Sequence, residues 1–404
     1  MSKSQANAVA DGDLNDTLTL STTESIRSIP SSTWQSLAHN SNRNPFTQFA
    51  FLSALENSHS VGERAGWIPR HLTLTRGDDI VGVAPAYLKL HSQGEYIFDH
   101  HWADAYERAG GRYFPKFLLA APFTPATSPR ILATDDNARS LLAASSVDVA
   151  KQIGLSSMHV NFLDAEEDKY FAEAGLLARQ TTQYHWFNRD YGTFDDYLAA
   201  LSSRKRNAVK RERRQAAESG LSIMALSGSE MEEKHWRAFW RFYQDTGMRK
   251  WGTPYLTKGF FDEIAETMAD QIVFFVAEKS GVPIAGALNF VSDDCLYGRY
   301  WGCTEYAPFL HFELCYYQAI EYAITHGLSR VEAGAQGEHK IARGYDPTPV
   351  RSRHWIADPS FRQAIARYLE QERQQNAAEI DHLAAYAPYK QSDPTIPSQG
   401  EPED

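Results

Sequence analysis

The sequence predicts an α+β (α/β) protein built from two copies of one unit, and three observations carry that reading. Five landmarks recur in the same order in the two halves of the 404-residue chain. Each half runs helix, hairpin, strand, helix, strand and final strand, an order that puts a crossover helix between two neighbouring strands. Both crossover helices leave through one tripeptide, Gly154-Leu155-Ser156 in the first copy and Gly327-Leu328-Ser329 in the second.

The elements follow in order. Pro45-Phe46 opens a helical run over Thr47–Glu56, and Pro254-Tyr255 opens another over Thr257–Met268. Each precedes a hairpin: Leu72–Thr75 turns at Gly77-Asp78-Asp79 into Ile80–Ala84, and Val273–Val276 turns at Ser280-Gly281 into Pro283–Ala287. An aromatic strand ending in tryptophan comes next, Tyr96–Trp102 and Leu296–Trp301. In the second crossover helix Phe312, Cys315, Tyr316, Ala319, Ile320, Ala323 and Ile324 share a face, with Gly327 placed as its cap. The strands Met158–Phe162 and Arg330–Ala333 follow, then short strands carrying His185-Trp186 and His354-Trp355. Thr193 and Asp196 make a capping box that starts the second copy. The expected organisation is a disordered segment at 1–16, a first domain at 17–190, a second at 191–357, a C-terminal helix at 358–390 and a disordered acidic tail at 391–404.

Composition narrows the function classes. Hydrophobic residues at 43% and charged residues at 23% describe a globular protein. No run of about 18 uncharged apolar residues exists, so no integral membrane segment is expected. The polar N-terminus lacks the features of a secretion signal, and the three cysteines, Cys295, Cys303 and Cys315, have neither metal-pair nor disulfide-framework spacing. Reduced thiols, no metal and a cytoplasmic location are expected. A net charge of −11 argues against coating DNA.

Five segments are candidates for chemistry. In the acidic chain, seven of the eleven residues from Arg204 to Arg214 are basic. Arg206, Lys210 and Arg213 fall on one helical face, and Arg204, Lys205, Arg206, Lys210 and Arg211 suit phosphate; a solvated helix face is the alternative. The run Gly334–Gly344 follows a strand directly and sets Glu338, His339 and Lys340 in succession, with Gln336, Gly337 and Arg343 beside them; a glycine turn with solvated charges is the alternative. Asp99–Tyr106 offers His101, Trp102 and Tyr106, and on a strand only one of its two adjacent histidines can face a site. The proline-stiffened loop Ala121–Pro129 offers Thr124 as part of a groove wall, or is a plain connector. Trp236, Phe239, Trp240 and Tyr243 form a core stripe, which leaves Trp251 as a groove residue. No activated serine or cysteine motif is present, which favours direct attack by a substrate amine.

The helix Ser203–Arg214, the strand LYGRYWG at Leu296–Gly302 with Arg299 and Trp301, the segment LHFELCYY at Leu310–Tyr317, the loop GAQGEHK at Gly334–Lys340, DHHWADAY and PFTPAT together resemble the bacterial peptidoglycan biosynthesis/recognition proteins of the FemAB-like GNAT superfamily. The resemblance spans about Pro45 to Ala366. It implies tandem GNAT-like domains and transfer of an acyl or aminoacyl group to a primary amine on a small molecule or a peptidoglycan precursor. The implied co-substrate is acyl-CoA or aminoacyl-tRNA, with no tightly bound cofactor, and a monomer is implied as well. GNAT enzymes hold acyl-CoA where two parallel strands part, here Leu296–Trp301 and Arg330–Ala333. Gly302–Pro308 departs from their Q/R-x-x-G-x-G/A pyrophosphate loop and carries Glu305, which turns the expectation toward the Fem-like donors. On this scheme Glu338 or His339 is the base, and strand amides helped by Lys340 or Arg343 hold the oxyanion. The alternatives are an acetyl-CoA-dependent acetyltransferase of another amine, a non-catalytic cell-wall recognition protein, and an RNA-binding protein using the basic helix.

Overall fold

The computed structural model describes residues 17–39, 43–251 and 254–390. The termini expected to be disordered, 1–16 and 391–404, lie outside the described residues, as do the side chains of Lys250, Trp251 and Glu338.

Two compact units form, and they exchange segments rather than dividing the chain at the expected Tyr191-Gly192 boundary. The first holds the chain to Thr181 with 254–269 and 349–377, and the second holds 182–251, 270–348 and 378–390. Side-chain chemistry explains the exchange. The helix Lys258–Thr267 buries Phe260, Phe261 and Ile264. Phe260 meets Phe51 edge-on at 5.6 Å, and the Thr257 hydroxyl donates to the Ser58 carbonyl at 3.0 Å. That helix therefore belongs with the first unit despite its place in the sequence.

In the first unit, one antiparallel sheet orders Leu18–Thr23, His71–Arg76, Asp79–Ala84 and Leu132–Ala133. A second sheet runs Trp67–Pro69, Ala86–Lys89, Lys116–Leu119 and Ser157–Leu163, the last pair parallel. The late segment Arg351–Ile356 closes it, antiparallel to Ser157–Leu163. The crossover helix Asp136–Ile153 is capped by the Asp135 side chain on the Ala138 N–H and ends at Gly154, φ +76°. Its Leu142, Val147 and Ala150 face Leu72, Phe117, Met158 and Val160 in the apolar core.

In the second unit the order is Ser222–Ser227, Ile272–Lys279, Val282–Val291, Cys295–Cys303, Arg330–Glu332 and then His185–Phe187. Ser280 and Gly281, at φ +52° and +79°, form the tight turn between Lys279 and Val282, where both central residues must be left-handed. Thr193 and Asp196 form the expected capping box. The core gathers Phe275, Leu296, Ile320 and Val331 with Trp186 and Tyr197.

One aromatic strand is a correction. Tyr96–Trp102 is not extended; a helix, His100–Arg108, begins within it. Asp99 precedes that helix without capping it, because its carboxylate is drawn into the buried cluster described below.

Candidate active site

The strand Cys295–Cys303 organises the second unit. It pairs in parallel with Arg330–Glu332 over only three residues, Cys295 with Arg330, Leu296 with Val331 and Tyr297 with Glu332. Beyond Glu332 the chain turns off at Gly334, φ +76°. On the other side the register slips: Tyr300 faces Leu288 and Gly298 faces Asn289, so Arg299 is the extra residue of a β-bulge. At the bulge lies a cavity of about 130 Å³ whose wall includes Asn289, Gly298, Arg299, Trp301, His311 and Tyr316.

The helix after this strand has an interruption that sequence periodicity did not reveal. Leu310–Phe312 is α-helical, Glu313–Tyr317 is a π turn in which the Gln318 N–H reaches the Glu313 carbonyl, and Gln318–Thr325 is α-helical again. An α-helix would put residues five apart on different faces, whereas the wider turn brings the rings of His311 and Tyr316 to 5.5 Å. His311 and Tyr316 are functional candidates that the sequence reading missed.

The GAQGEHK loop reaches the cavity through His339. The Tyr316 hydroxyl lies 2.9 Å from Nε2 of His339. His339 folds back over Gly337, φ +100°, where a Cβ would come 2.4 Å from its ring, so glycine is required. Burial, and then the charges of Arg343 and Lys340, hold His339 below its ordinary pKa, which favours a neutral, proton-accepting imidazole. Burial pushes the Tyr316 hydroxyl up, keeping it protonated.

Two expected roles change. The buried Lys340 ammonium donates to the carbonyls of Ala333 at 2.5 Å and Gly334 at 3.1 Å. Arg343 donates to Glu212 and to the His339 carbonyl, both at 2.8 Å, and stacks 3.5 Å over Phe312. Both cations fix the loop rather than face the cavity. Gln336 is exposed.

The basic run forms the helix Ser203–Ala217. Arg213 is spent on Glu313 and Glu321, at 3.0 and 2.6 Å, so it is not a free phosphate ligand. Glu212 accepts from the Tyr317 hydroxyl as well as from Arg343, which ties this helix to the GAQGEHK loop. Arg204, Lys210 and Arg211 are exposed and Lys205 and Arg206 half-buried. Lys210 and Arg214 border a wide cavity of about 810 Å³ with Phe194, Glu313 and Glu321; the other four of the five expected cations do not line it.

The remaining sequence candidates with described side chains fall in the first unit. Trp102 is buried, edge-on to His354 at 4.9 Å, and Tyr106 packs on Phe361 at 4.8 Å. Thr124 is buried, with its hydroxyl on the Pro122 carbonyl. These three are packing residues, and His101 is exposed at the helix start. Beneath them is a buried polar cluster. The Lys116 ammonium donates to Ser92 at 3.0 Å, Glu95 at 2.8 Å and Asp99 at 2.5 Å. Asp99 accepts from Tyr113 at 2.6 Å. Nδ1 of His159 lies 2.6 Å from Nδ1 of His354, so one of these nitrogens donates and the other accepts.

This cluster sets an acid limit. Burial first, then Lys116, pushes His159 down to about 3, and burial, then His159, holds His354 well below its ordinary value. A depressed histidine pKa gives stability that is full above the unfolded value of about 6.5 and is lost as pH falls through the folded one. Glu95, pushed up to about 7 by burial against the pull of Lys116, works in the opposite sense as a single group. Glu167, raised to about 8 by burial, works in the same sense as Glu95. The histidines are therefore read from a difference: between pH 6.5 and 4.5 the melting temperature of the parent is expected to decline relative to that of His354→Gln. Parallel profiles for the two proteins over that window would contradict the assignment.

A family model described as peptidoglycan biosynthesis/recognition, FemAB-like, matches residues 25–391. No curated protein sequence matches the chain. Among solved structures, FemX aligns at 12% identity with a TM-score of 0.51, over 84% of this chain and 98% of that one. The C-terminal domain of a putative lysylphosphatidylglycerol synthetase from Agrobacterium fabrum aligns at 10% identity with a TM-score of 0.51, over 83% and 95%. A tandem GNAT protein from the clavulanic acid biosynthesis pathway aligns at 10% identity and a TM-score of 0.44, over 84% and 98%. With the two exchanged units, the parting parallel strands and a family match over nearly all described residues, the chain has a tandem GNAT-like fold and belongs to the FemAB-like family.

Proposed function

We propose that the protein is an N-acyltransferase that moves an acyl or aminoacyl group to a primary amine, with a peptidoglycan precursor as the acceptor class. The observation that carries this reading is the cavity at the β-bulge, where the strands part and the Tyr316–His339 pair ends. The acceptor nitrogen attacks the donor carbonyl carbon, and the tetrahedral oxyanion rests on backbone N–H groups of Gly298–Trp301. The amine proton passes to the Tyr316 oxygen as Tyr316 gives its own proton to Nε2 of His339. Collapse breaks the bond to the leaving group, which takes the proton back from His339 through the Tyr316 hydroxyl, and the new amide departs. Arg343 and Lys340 position the loop. Arg204, Lys205, Arg206, Lys210 and Arg211 hold phosphates of the precursor or of an aminoacyl-tRNA donor. The family description supports the acceptor class.

The test is incubation of the purified chain with UDP-linked muramyl peptide and either aminoacyl-tRNA or acyl-CoA, with mass spectrometry of the products. A mass gain on the peptide amine is expected, and its absence with every donor would leave a recognition protein. Lys205→Glu with Lys210→Glu is expected to weaken muramyl-peptide binding by about tenfold or more, as loss of charge-assisted contacts does. Titration calorimetry checks this, and unchanged affinity would remove the basic helix from the site.

A further inference from the structure

The segment between the bulged strand and the π-turn helix lines a third cavity, of about 380 Å³, within the usual range of small-molecule sites. Its wall is aromatic and aliphatic: Trp301, Tyr306, Ala307, Phe309, Leu310 and Phe312. Among its described wall residues there is no lysine or arginine, and the one acid, Glu305, is paired with Lys279 at 2.8 Å. Phe309, at φ +59°, turns the chain sharply into the helix. The Tyr306 ring stands 90% exposed. Trp301 and His311 belong to both this wall and the wall of the bulge cavity, so the two spaces adjoin.

No lysine or arginine is among the described wall residues to take a diphosphate, and a polar aminoacyl side chain would lose water along a mostly apolar wall. An apolar chain attached to the carbonyl at the bulge would run along Trp301 into a space already lined for it. We propose that this cavity is the acyl-chain site and that the transferred group is an apolar acyl chain. The proposal rests on the acyltransferase reading and narrows its donor. The occupant is the donor's own tail, because Trp301 and His311 are common to this wall and to that of the cavity where the donor carbonyl is placed.

Chain-length dependence tests this on the full protein, with simple N-acetylcysteamine thioesters of acetate, hexanoate and octanoate as probes. The half-buried Cys303 thiol in the wall is the reporter, its alkylation by iodoacetamide followed by peptide mass mapping. The octanoyl thioester is expected to protect Cys303 where the acetyl thioester does not, and each added methylene to tighten binding by about fourfold until the space is filled. Equal protection by acetyl and octanoyl probes would overturn the proposal. In Ala307→Trp, which takes up part of the cavity, the chain-length preference is expected to weaken; a preference kept intact in that variant would overturn the proposal too. The labelling experiment on the unaltered protein does not depend on how the variant folds. Protection by octanoyl thioester with no amide formed on any amine would support the chain site and sink the acyltransferase reading, so the two fail separately.

Discussion

Lys116→Met is expected to destabilise the first unit by about 3–5 kcal/mol, the largest stability effect predicted for this protein. Lys116 is fully buried and is the cation nearest two buried carboxylates, with the buried Lys89 4.0 Å from Glu95. Burial alone would raise Asp99, but Lys116, helped by His159, outweighs it and holds Asp99 far below the carboxylate range. Without the ammonium, Asp99 becomes an uncompensated buried charge. Glu95 is less exposed to this loss, since at about 7 it takes up a proton readily. The cost should therefore centre on Asp99, and Lys116→Met with Asp99→Asn should recover much of it. Scanning calorimetry resolves the transitions of a two-unit chain better than a single denaturation midpoint does. A Lys116→Met trace that overlays the parent would refute the account of the cluster.

The largest effect on activity is expected from the Tyr316–His339 pair. Tyr316→Phe and His339→Ala should each lower kcat by about 10²- to 10⁴-fold, the usual worth of a positioned proton acceptor. Because they act as one relay, the double variant should be little worse than either single one. The base must be neutral to work, and His339 is held below its ordinary value, so the acid limb of the pH–rate profile should fall below pH 6.5. In His339→Ala that limb should disappear. A profile unmoved by the substitution would show that another group takes the proton, with His311, on the cavity wall, as the next to test.

Much of this was legible in the sequence where local chemistry decides. The Ser280-Gly281 turn, the Thr193–Asp196 capping box and the left-handed Gly154 and Gly327 all carry short-range signals, and each stands where it was expected. The His100–Arg108 helix was misread because Tyr96-Ile97-Phe98 has strand composition and because Asp99 looks like part of a strand when it is a partner of a distant lysine. In the site, the basic run and the GAQGEHK loop were found by composition, but their working members were not. Arg213, Lys340 and Arg343 have the residue types of ligands, yet their charges are answered by Glu313, by two carbonyls and by Glu212. Only the fold shows which cations have partners. His311 and Tyr316 were hidden for a geometric reason, since a search at α-helical spacing puts them on different faces; the clue was a histidine and two tyrosines in LHFELCYY.

The exchange of segments bears on how the protein is made. On the ribosome, the first unit cannot finish when its own half of the chain has emerged. It waits for the helix at 258–267 and then for the strand ending at Ile356, by which time nearly the whole polypeptide has been synthesised. Until then the Ser157–Leu163 strand has an open edge, and Phe51 has the ring of Phe46 but not that of Phe260. Nascent chains stalled between these points should show protease sensitivity that ends abruptly once the final strand clears the exit tunnel, and the N-terminal half produced alone should be a poor candidate for an independent domain.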